Sequence, residues 1–226
     1  MAGHHDIRFD DKHTKQAIEN KSLNRNHVKG INGPGRNDLP TYVKLDHGIP
    51  EAVLEQAREI ATSGAPSDFN TDRYKISRKE NCRLANMVPD NYKLLLLQQQ
   101  ASDTDQDGEI SYTDWRDGTS EIQKYLEGMF GSVYQTRLTI TPPGAEIPWH
   151  IDLNTSVICR VQIGVDMDDS SFEFRRRGEE SSIHIASGDM WFLNTAWNHR
   201  VLNTASAKPR VVLITEVLYD DLKTFL

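Results

Sequence analysis

Apolar and polar positions follow two different periods along the chain, helical in its first half and strand-like in its second. Apolar residues recur at three- and four-residue intervals over 49–63 and again over 120–130, which predicts two amphipathic helices. Four consecutive leucines within 91–100 favour another helix between them. The stretch of about 49–130 is therefore interpreted as the helical part of the fold.

From residue 133 onward the pattern changes to short segments that alternate or run apolar, separated by Gly, Asp, Asn and Pro. Such segments are typical of β-strands joined by tight turns. Seven or eight of them suit a barrel-like sandwich, with a core over about 133–219. The predicted strands are 134–141, 157–165, 171–175, 182–185, 190–193, 201–203 and 210–218.

The chain length suits one catalytic-size domain with a polar extension. Of 226 residues, 1–40 form a polar N-terminal arm and 41–226 a single domain. The net charge of −7 argues against a nucleic-acid-binding surface, and no long apolar segment indicates a membrane span. Two widely spaced cysteines without an apolar leader favour the cytoplasm. No pattern indicates an oligomeric state.

The triplet His150-Ile151-Asp152 follows a Thr-Pro-Pro-Gly turn and is the first candidate for chemistry. On a strand, residues two apart face the same side, so the imidazole and the carboxylate could share one cation. His199, between two strand-like runs, is the candidate third ligand. Two histidines and one carboxylate form the facial triad of non-haem iron oxygenases. The triplet alone is weak, because chance yields about 0.7 such triplets in this composition.

Arg210 strengthens the metal interpretation because it interrupts a strand that is otherwise apolar enough to be buried. A buried guanidinium needs an anion, and its planar fork matches a carboxylate with two parallel hydrogen bonds. A dicarboxylate cosubstrate would supply that group. An internal salt bridge or an edge position with an exposed side-chain end would explain the same residue.

Residues 136–217 resemble the catalytic core of the aspartyl/asparaginyl β-hydroxylase family, a branch of the Fe(II)- and 2-oxoglutarate-dependent oxygenases. The resemblance runs through several blocks in a fixed order, which makes it specific. In chain order these are Arg137-Leu138-Thr139-Ile140, Pro143-Gly144, His150, Cys159-Arg160-Val161-Gln162-Ile163-Gly164-Val165, Gly188-Asp189, His199-Arg200-Val201 with Asn203, and Pro209-Arg210-Val211-Val212-Leu213-Ile214.

The resemblance implies a double-stranded β-helix core, jelly-roll and cupin-like, with flanking N-terminal helices. It assigns iron to His150, Asp152 and His199, and it places 2-oxoglutarate against four further residues. It also implies hydroxylation of an unactivated C–H bond of an amino acid, or of a residue in a peptide, using O2 and yielding succinate and CO2. The implied cosubstrate residues are Arg210, Thr139, Arg160 and Gln162, the last departing from the histidine of some members.

Two other functions fit parts of the same pattern. A non-catalytic β-barrel could hold a divalent metal with the same three ligands, but it would have no need of a buried arginine nearby. Other oxidation chemistry on the same fold, such as desaturation, is compatible with the ligands. Halogenation is disfavoured, because Asp152 occupies the coordination position that a halide would need.

A second motif, at 103–114, fits the calcium loop of an EF-hand. It has acidic residues at the first, third and fifth positions, glycine at the sixth and an apolar residue at the eighth. The last position carries aspartate instead of the usual longer glutamate, and an acidic turn that caps helices is the alternative. The candidate Ca(II) ligands are Asp103, Asp105, Asp107, Glu109 and Asp114.

Three arginines at 175–177 form the basic cluster of the strand-rich half and are interpreted as a hairpin tip. Solvation explains such a cluster, and a role at the substrate is the alternative. Trp149, Trp191 and Trp197 flank the proposed ligands, either as walls of the iron pocket or as ordinary core. His184 alternates with two isoleucines and competes poorly with His199 as a ligand.

Overall fold

β-Strand is the most abundant secondary structure of the described residues, which confirms the prediction of a mainly β fold. The computed structural model describes residues 34–63, 92–100, 112–152, 155 and 158–226. Its elements are β1 (Tyr42–Leu45), α1 (Glu51–Thr62), β2 (Lys93–Leu96), β3 (Gln98–Gln100), β4 (Tyr112–Trp115), α2 (Ser120–Phe130), β5 (Val133–Thr141), β6 (Ala145–His150), β7 (Cys159–Asp166), β8 (Ser171–Arg176), β9 (Glu179–Ile183), β10 (Met190–Leu193), β11 (Asn198–Asn203), β12 (Arg210–Val217) and α3 (Tyr219–Leu222).

Two antiparallel sheets form the layers of the sandwich. One has the strand order β1-β10-β7-β12-β5-β2 and the other the order β6-β11-β8-β9. Phe174 of the four-stranded sheet packs with Leu193 and Tyr42 of the six-stranded sheet, so apolar side chains join the layers. Neighbouring strands come from distant parts of the chain, as they do in a jelly roll.

Alternation along the six-stranded sheet separates an apolar outer face from a polar inner face. Val161 and Ile163 of β7 pack outward in one buried cluster with Leu54 of α1 and Leu126 of α2. Gln162 lies between them and therefore faces the opposite way, toward the four-stranded sheet. The helices thus cover the outer face, while the inner face is left for polar groups. Among the described residues, no helix is long and apolar enough to span a membrane.

The helix predicted within 91–100 is wrong. This stretch forms β2 and β3, and Leu94, Leu95 and Leu96 are buried on strand β2, which pairs with β5. A short apolar run does not distinguish a buried strand from a buried helix. The segment is a strand here because the edge of β5 offers backbone hydrogen-bond partners along its length. In the described residues of 49–130, the predicted helical part therefore contains two helices, α1 and α2, with strands between them.

The EF-hand interpretation fails at its flanks. A calcium loop of that kind joins two helices, but the segments on either side here are β3 and β4, which pair antiparallel. Asp114 lies in β4 and is exposed. Asp103, Asp105, Asp107 and Glu109 lie outside the described residues. The prediction of calcium binding is therefore unsupported.

The end of the predicted N-terminal arm, residues 34–40, is bound to the loop before β11. Asn194 donates side-chain hydrogen bonds to the carbonyls of Arg36 and Pro40, at 3.0 and 3.2 Å. The Thr155 hydroxyl donates to the carbonyl of Pro34 at 3.0 Å. This segment therefore lies over the core. The rest of the arm falls outside the described residues.

We expect Gly164→Ala to destabilise the fold, because a Cβ atom at this position would overlap the carbonyl oxygen of Ala186. The turn that carries this oxygen is held against β7 by two backbone hydrogen bonds, at 2.8 and 3.0 Å. Relief would require backbone movement, so the free energy of unfolding should fall by about 2–4 kcal/mol. Urea denaturation measures it.

Gly128→Ala is the matched control for this substitution. Gly128 lies inside α2, and a Cβ atom there meets nothing within 4 Å. Alanine forms helices better than glycine, so stability should rise by up to about 1 kcal/mol. Equal effects of the two substitutions would contradict the steric explanation.

Candidate metal centre

Three side chains of metal-ligating type meet on the inner face of the four-stranded sheet. His150 ends β6 and lies directly opposite His199 of β11, with ring centroids 4.1 Å apart. The nearer Asp152 carboxylate oxygens lie 3.9 Å from Nε2 of His150 and 3.5 Å from Nε2 of His199. One ligand atom from each residue falls within 4.8 Å of the others. The structure thus brings together all three residues predicted to bind iron.

Asp152 reaches this position differently from the sequence interpretation. Strand β6 ends at His150, so the alternation of a strand does not orient the carboxylate. The backbone N–H of Asp152 instead donates to the carbonyl of Thr195 at 2.9 Å. This hydrogen bond ties the segment after β6 to the loop before β11. A contact between distant parts of the chain therefore places the acidic ligand.

Both imidazoles present Nε2 to the centre because Nδ1 is engaged elsewhere. Nδ1 of His150 lies 2.8 Å from the carbonyl of Pro148, and Nδ1 of His199 lies 2.9 Å from that of Trp197. A carbonyl only accepts, so Nδ1 carries the proton in each hydrogen bond. The Nε2 lone pairs are then free for a cation, and the ring orientations are fixed.

The electrostatics of the centre suit a divalent cation. Burial, followed by the neighbouring His199, lowers the pKa of His150 to about 4, so its ring is neutral at pH 7. Burial alone would raise the pKa of Asp152, but the Arg160 guanidinium and the imidazoles outweigh it and hold that pKa well below its usual range. Two imidazoles and one carboxylate are the donor set that fits Fe(II).

Two phenylalanines of β8 cover the His199 side of the centre. The Phe172 ring stacks on the imidazole with centroids 5.2 Å apart and planes at 12°, and Phe174 lies opposite His199 in the strand register. Both rings are buried and exclude water from that side. Sequence reasoning missed them, although alternating aromatics on a strand beside the proposed ligands were available as a signal.

Arg210 begins β12 and is buried, with 3% of its surface exposed. Burial lowers the pKa of its guanidinium to about 10, so the group remains charged at pH 7. Nη2 donates to the Gln162 side-chain oxygen at 3.2 Å. Among the described residues no carboxylate lies within ion-pair distance of it. A buried cation with a neutral partner is costly unless an anion joins it.

Three of the four predicted cosubstrate residues share the inner face of the six-stranded sheet. Thr139 lies opposite Val212, and Gln162 opposite Ile214, so these side chains point the same way as the alternating Arg210. Thr139 and Gln162 are both buried. The Gln162 amide oxygen accepts from Arg210, so glutamine at this position orients the guanidinium.

Arg160, the fourth predicted cosubstrate residue, contacts two carboxylates. Nη1 donates to Oδ2 of Asp152, and Nη2 donates to Oε1 of Glu216 at 2.7 Å. Glu216 also accepts from Arg137 at 3.1 Å. Sequence reasoning assigned no role to Glu216. An acidic residue inside an apolar strand was the available signal, as it was for Arg210.

The tryptophans and the basic hairpin that the sequence placed near the ligands do not all lie on the inner face of the sheet. Trp149 lies on the outer face, with the guanidiniums of Arg175 and Arg200 at 4.5 and 4.8 Å from its ring. It therefore does not line the metal centre. The hairpin prediction is confirmed, with positive φ at Arg177 and Gly178 as a tight β-turn requires. His184 is exposed, with Nδ1 near the carbonyl of Ser170.

Comparison with solved structures finds several similar proteins. A prolyl hydroxylase from Trichoplax adhaerens, solved with a hypoxia inducible factor oxygen degradation domain peptide fragment, is similar with a TM-score of 0.52 and 11% identity over 92% of this chain and 96% of that one. A Pseudomonas putida prolyl-4-hydroxylase is similar with a TM-score of 0.46 and 13% identity, over 78% of this chain and 91% of that one. A Burkholderia pseudomallei oxidoreductase of the 2OG-Fe(II) oxygenase family is similar with a TM-score of 0.44 and 17% identity, over 77% of this chain and 94% of that one. Comparison with curated proteins finds no match.

A jelly roll with this centre on its inner face defines the class of Fe(II)- and 2-oxoglutarate-dependent oxygenases. The sequence model described as Aspartyl/Asparaginyl beta-hydroxylase matches residues 97–219, more than half of the chain. The chain belongs to the aspartyl/asparaginyl β-hydroxylase family. The match begins at the residue after β2 and ends just past β12, so it spans the metal centre and Arg210.

Proposed function

We propose that this protein is a 2-oxoglutarate-dependent dioxygenase that hydroxylates an unactivated C–H bond of an amino acid or of a residue in a peptide. The buried Arg210 guanidinium carries the proposal, because no carboxylate pairs with it in the described part of the chain. A metal-binding barrel without a cosubstrate would bear the cost of that buried charge for no purpose. A dicarboxylate supplies the missing partner.

The charges of the interior support an anionic cosubstrate. Among the described residues of the interior, Arg137, Arg160 and Arg210 bring three positive charges, and Asp152 and Glu216 bring two negative charges. Arg137 and Arg160 are paired with these carboxylates, so Arg210 is the cation that remains. The distal carboxylate of 2-oxoglutarate would bind there, and Thr139 on the same face offers a hydroxyl.

The protein residues bind and orient, while the bound groups supply the oxidation. His150, Asp152 and His199 would hold iron, and three of its six coordination positions would stay open. With Fe(II) and O2, 2-oxoglutarate supplies the oxidising power that replaces a C–H bond by C–OH and leaves as succinate and CO2. Phe172 and Phe174 keep water from one side of the centre. No protein group needs to transfer a proton, so no general base is assigned.

Arg176 places a cation at the end of β8, on the face that carries the metal centre. It follows Phe174 by two residues on β8 and faces the same way, and its guanidinium lies 5.1 Å from the ring of Trp197. Arg36 lies 4.7 Å from the same ring. Neither has a carboxylate partner in the described ranges. We propose that this pair attracts an acidic group of the substrate. Peptides are compatible with the fold, since the Trichoplax enzyme was solved with one.

Arg176→Gln should raise the KM for an acidic substrate about tenfold, because one charge-assisted contact is lost. The dissociation constant of 2-oxoglutarate should not change, since Arg176 lies on the other sheet from Arg210. Steady-state kinetics and anaerobic titration measure the two quantities. Arg175→Gln is the control, because Arg175 is already paired with Glu180 at 2.6 Å. An unchanged KM in the Arg176 variant would exclude it from substrate binding.

Succinate formation tests the proposed function directly. The protein is loaded with Fe(II) anaerobically, 2-oxoglutarate is added, and succinate is measured after air is admitted, across the free amino acids and acidic peptides. Turnover stimulated by one substrate supports the proposal. Absence of turnover together with absence of a visible Fe(II)–2-oxoglutarate charge-transfer band would contradict it and favour a non-catalytic metal-binding protein. A band without turnover would direct the search to larger peptides.

A further inference from the structure

Glu216 is a buried acid that the proposed reaction does not use. Its side chain on β12 is 2% exposed. Burial alone would raise its pKa, but Arg137 and Arg160 together outweigh this effect and keep the pKa below its ordinary value. The side chain is therefore an anion at pH 7. A buried anion of this kind persists only with cationic partners.

Glu216 joins two arginines that have different surroundings. Oε1 accepts from Arg137 at 3.1 Å and from Arg160 at 2.7 Å. Arg137 also donates to the backbone carbonyl of Gln135 at 2.8 Å. Arg160 lies opposite Glu216 in the strand register, and its other arm donates to Asp152. Glu216 therefore connects to the metal centre through Arg160.

The four side chains form a row of alternating charge that ends at a metal ligand. In order they are Arg137, Glu216, Arg160 and Asp152, and their formal charges sum to zero. Without Glu216 the row would carry an excess positive charge, with Arg160 in direct contact with the ligand carboxylate. Such a charge repels a divalent cation, and the low-dielectric surroundings screen it weakly.

We propose that Glu216 is a positioning residue for the metal centre: it neutralises Arg160 and aligns it on Asp152, so that this carboxylate can serve a cation. The inference rests on the proposed function for the identity of the metal. It assigns Arg160 to the metal carboxylate, where the family resemblance implied a contact with the cosubstrate. Outer partners that orient a ligand commonly change metal affinity by one to two orders of magnitude.

Binding of Mn(II) alone, measured by calorimetry without 2-oxoglutarate, tests this assignment. Glu216→Gln keeps the shape and an acceptor oxygen but removes the charge, so Mn(II) affinity should fall about tenfold to a hundredfold. Arg137→Gln removes the opposite charge from the other end of the row. Its affinity should be equal to or higher than that of the unaltered protein. Loosening of the structure would lower the Mn(II) affinity of both variants, whereas the charge row predicts a loss in Glu216→Gln and no loss in Arg137→Gln.

The double variant Glu216→Gln/Arg137→Gln restores the charge balance and should recover most of the lost affinity. If Glu216→Gln alone does not fold, the effect of position 216 on Mn(II) affinity is measured by comparing the double variant with Arg137→Gln. Two results would overturn the inference. One is an unchanged Mn(II) affinity in Glu216→Gln. The other is a double variant whose Mn(II) affinity lies below that of Arg137→Gln by the same factor that Glu216→Gln loses alone. Succinate assays are separate from this test. Failure of turnover with the expected order of Mn(II) affinities would reject only the proposed function.

Discussion

Arg210→Met is expected to abolish cosubstrate binding while metal binding persists. The variant removes the buried guanidinium that would pair with the distal carboxylate, and the loss of one member of a buried, hydrogen-bonded charge pair costs about 2–5 kcal/mol. The dissociation constant of 2-oxoglutarate should therefore rise about 30- to 5000-fold. Anaerobic titration of the Fe(II) protein measures this constant, and calorimetry with Mn(II) should give an unchanged metal affinity.

The folding stability of Arg210→Met should not fall together with its affinity for 2-oxoglutarate. Without 2-oxoglutarate, Arg210 is a buried charge whose hydrogen bond goes to neutral Gln162, so replacement by an apolar side chain of similar length should leave the free energy of unfolding unchanged or raise it. Added 2-oxoglutarate should raise the melting temperature of the metal-loaded unaltered protein but not that of the variant. Arg175→Met, on the outer face, should behave like the unaltered protein. Tight 2-oxoglutarate binding by Arg210→Met would refute the assignment.

Asp152→Asn should remove metal binding at low concentrations and eliminate turnover. The amide keeps the shape of the side chain but removes the single anionic ligand of the set. It also leaves the Arg160 guanidinium facing a neutral group beside the cation. Both changes disfavour a divalent ion, so Mn(II) affinity should fall at least about a hundredfold, measured by calorimetry. Succinate formation should be lost with it.

Asp168→Asn is a matched control for this substitution. Asp168 accepts a hydrogen bond from the Ser206 hydroxyl at 3.1 Å, and an amide oxygen can still accept it. Metal affinity and turnover should be unaffected. Full activity in Asp152→Asn would show that the two histidines suffice and would remove the carboxylate from the ligand set.

The sequence correctly predicted those helices and strands whose own residues show the hydrophobic periodicity of the element. The helix over 120–130 matches α2, and the helix begun near Pro50 matches α1 within two residues at its start. The predicted strands from 134 onward correspond to β5 and β7–β12, because alternation of side chains is a property of each segment alone. The list of predicted strands lacks β1, β2, β3, β4 and β6. These short segments become strands by pairing with another part of the chain.

The candidate site divides along the same line. The sequence by itself determined that a charged Arg210 interrupts an apolar strand and that His150 and Asp152 stand two residues apart, and the ordered motifs implied a ligand set that included His199. Only the tertiary structure decided that Asp152 is held by the loop before β11 and that Arg160 contacts it. Arg137 and Glu216 are 79 residues apart in the chain, and the pairing of β5 with β12 brings them together. Local periodicity shows which way a side chain faces, whereas its partner depends on strand pairing between distant segments.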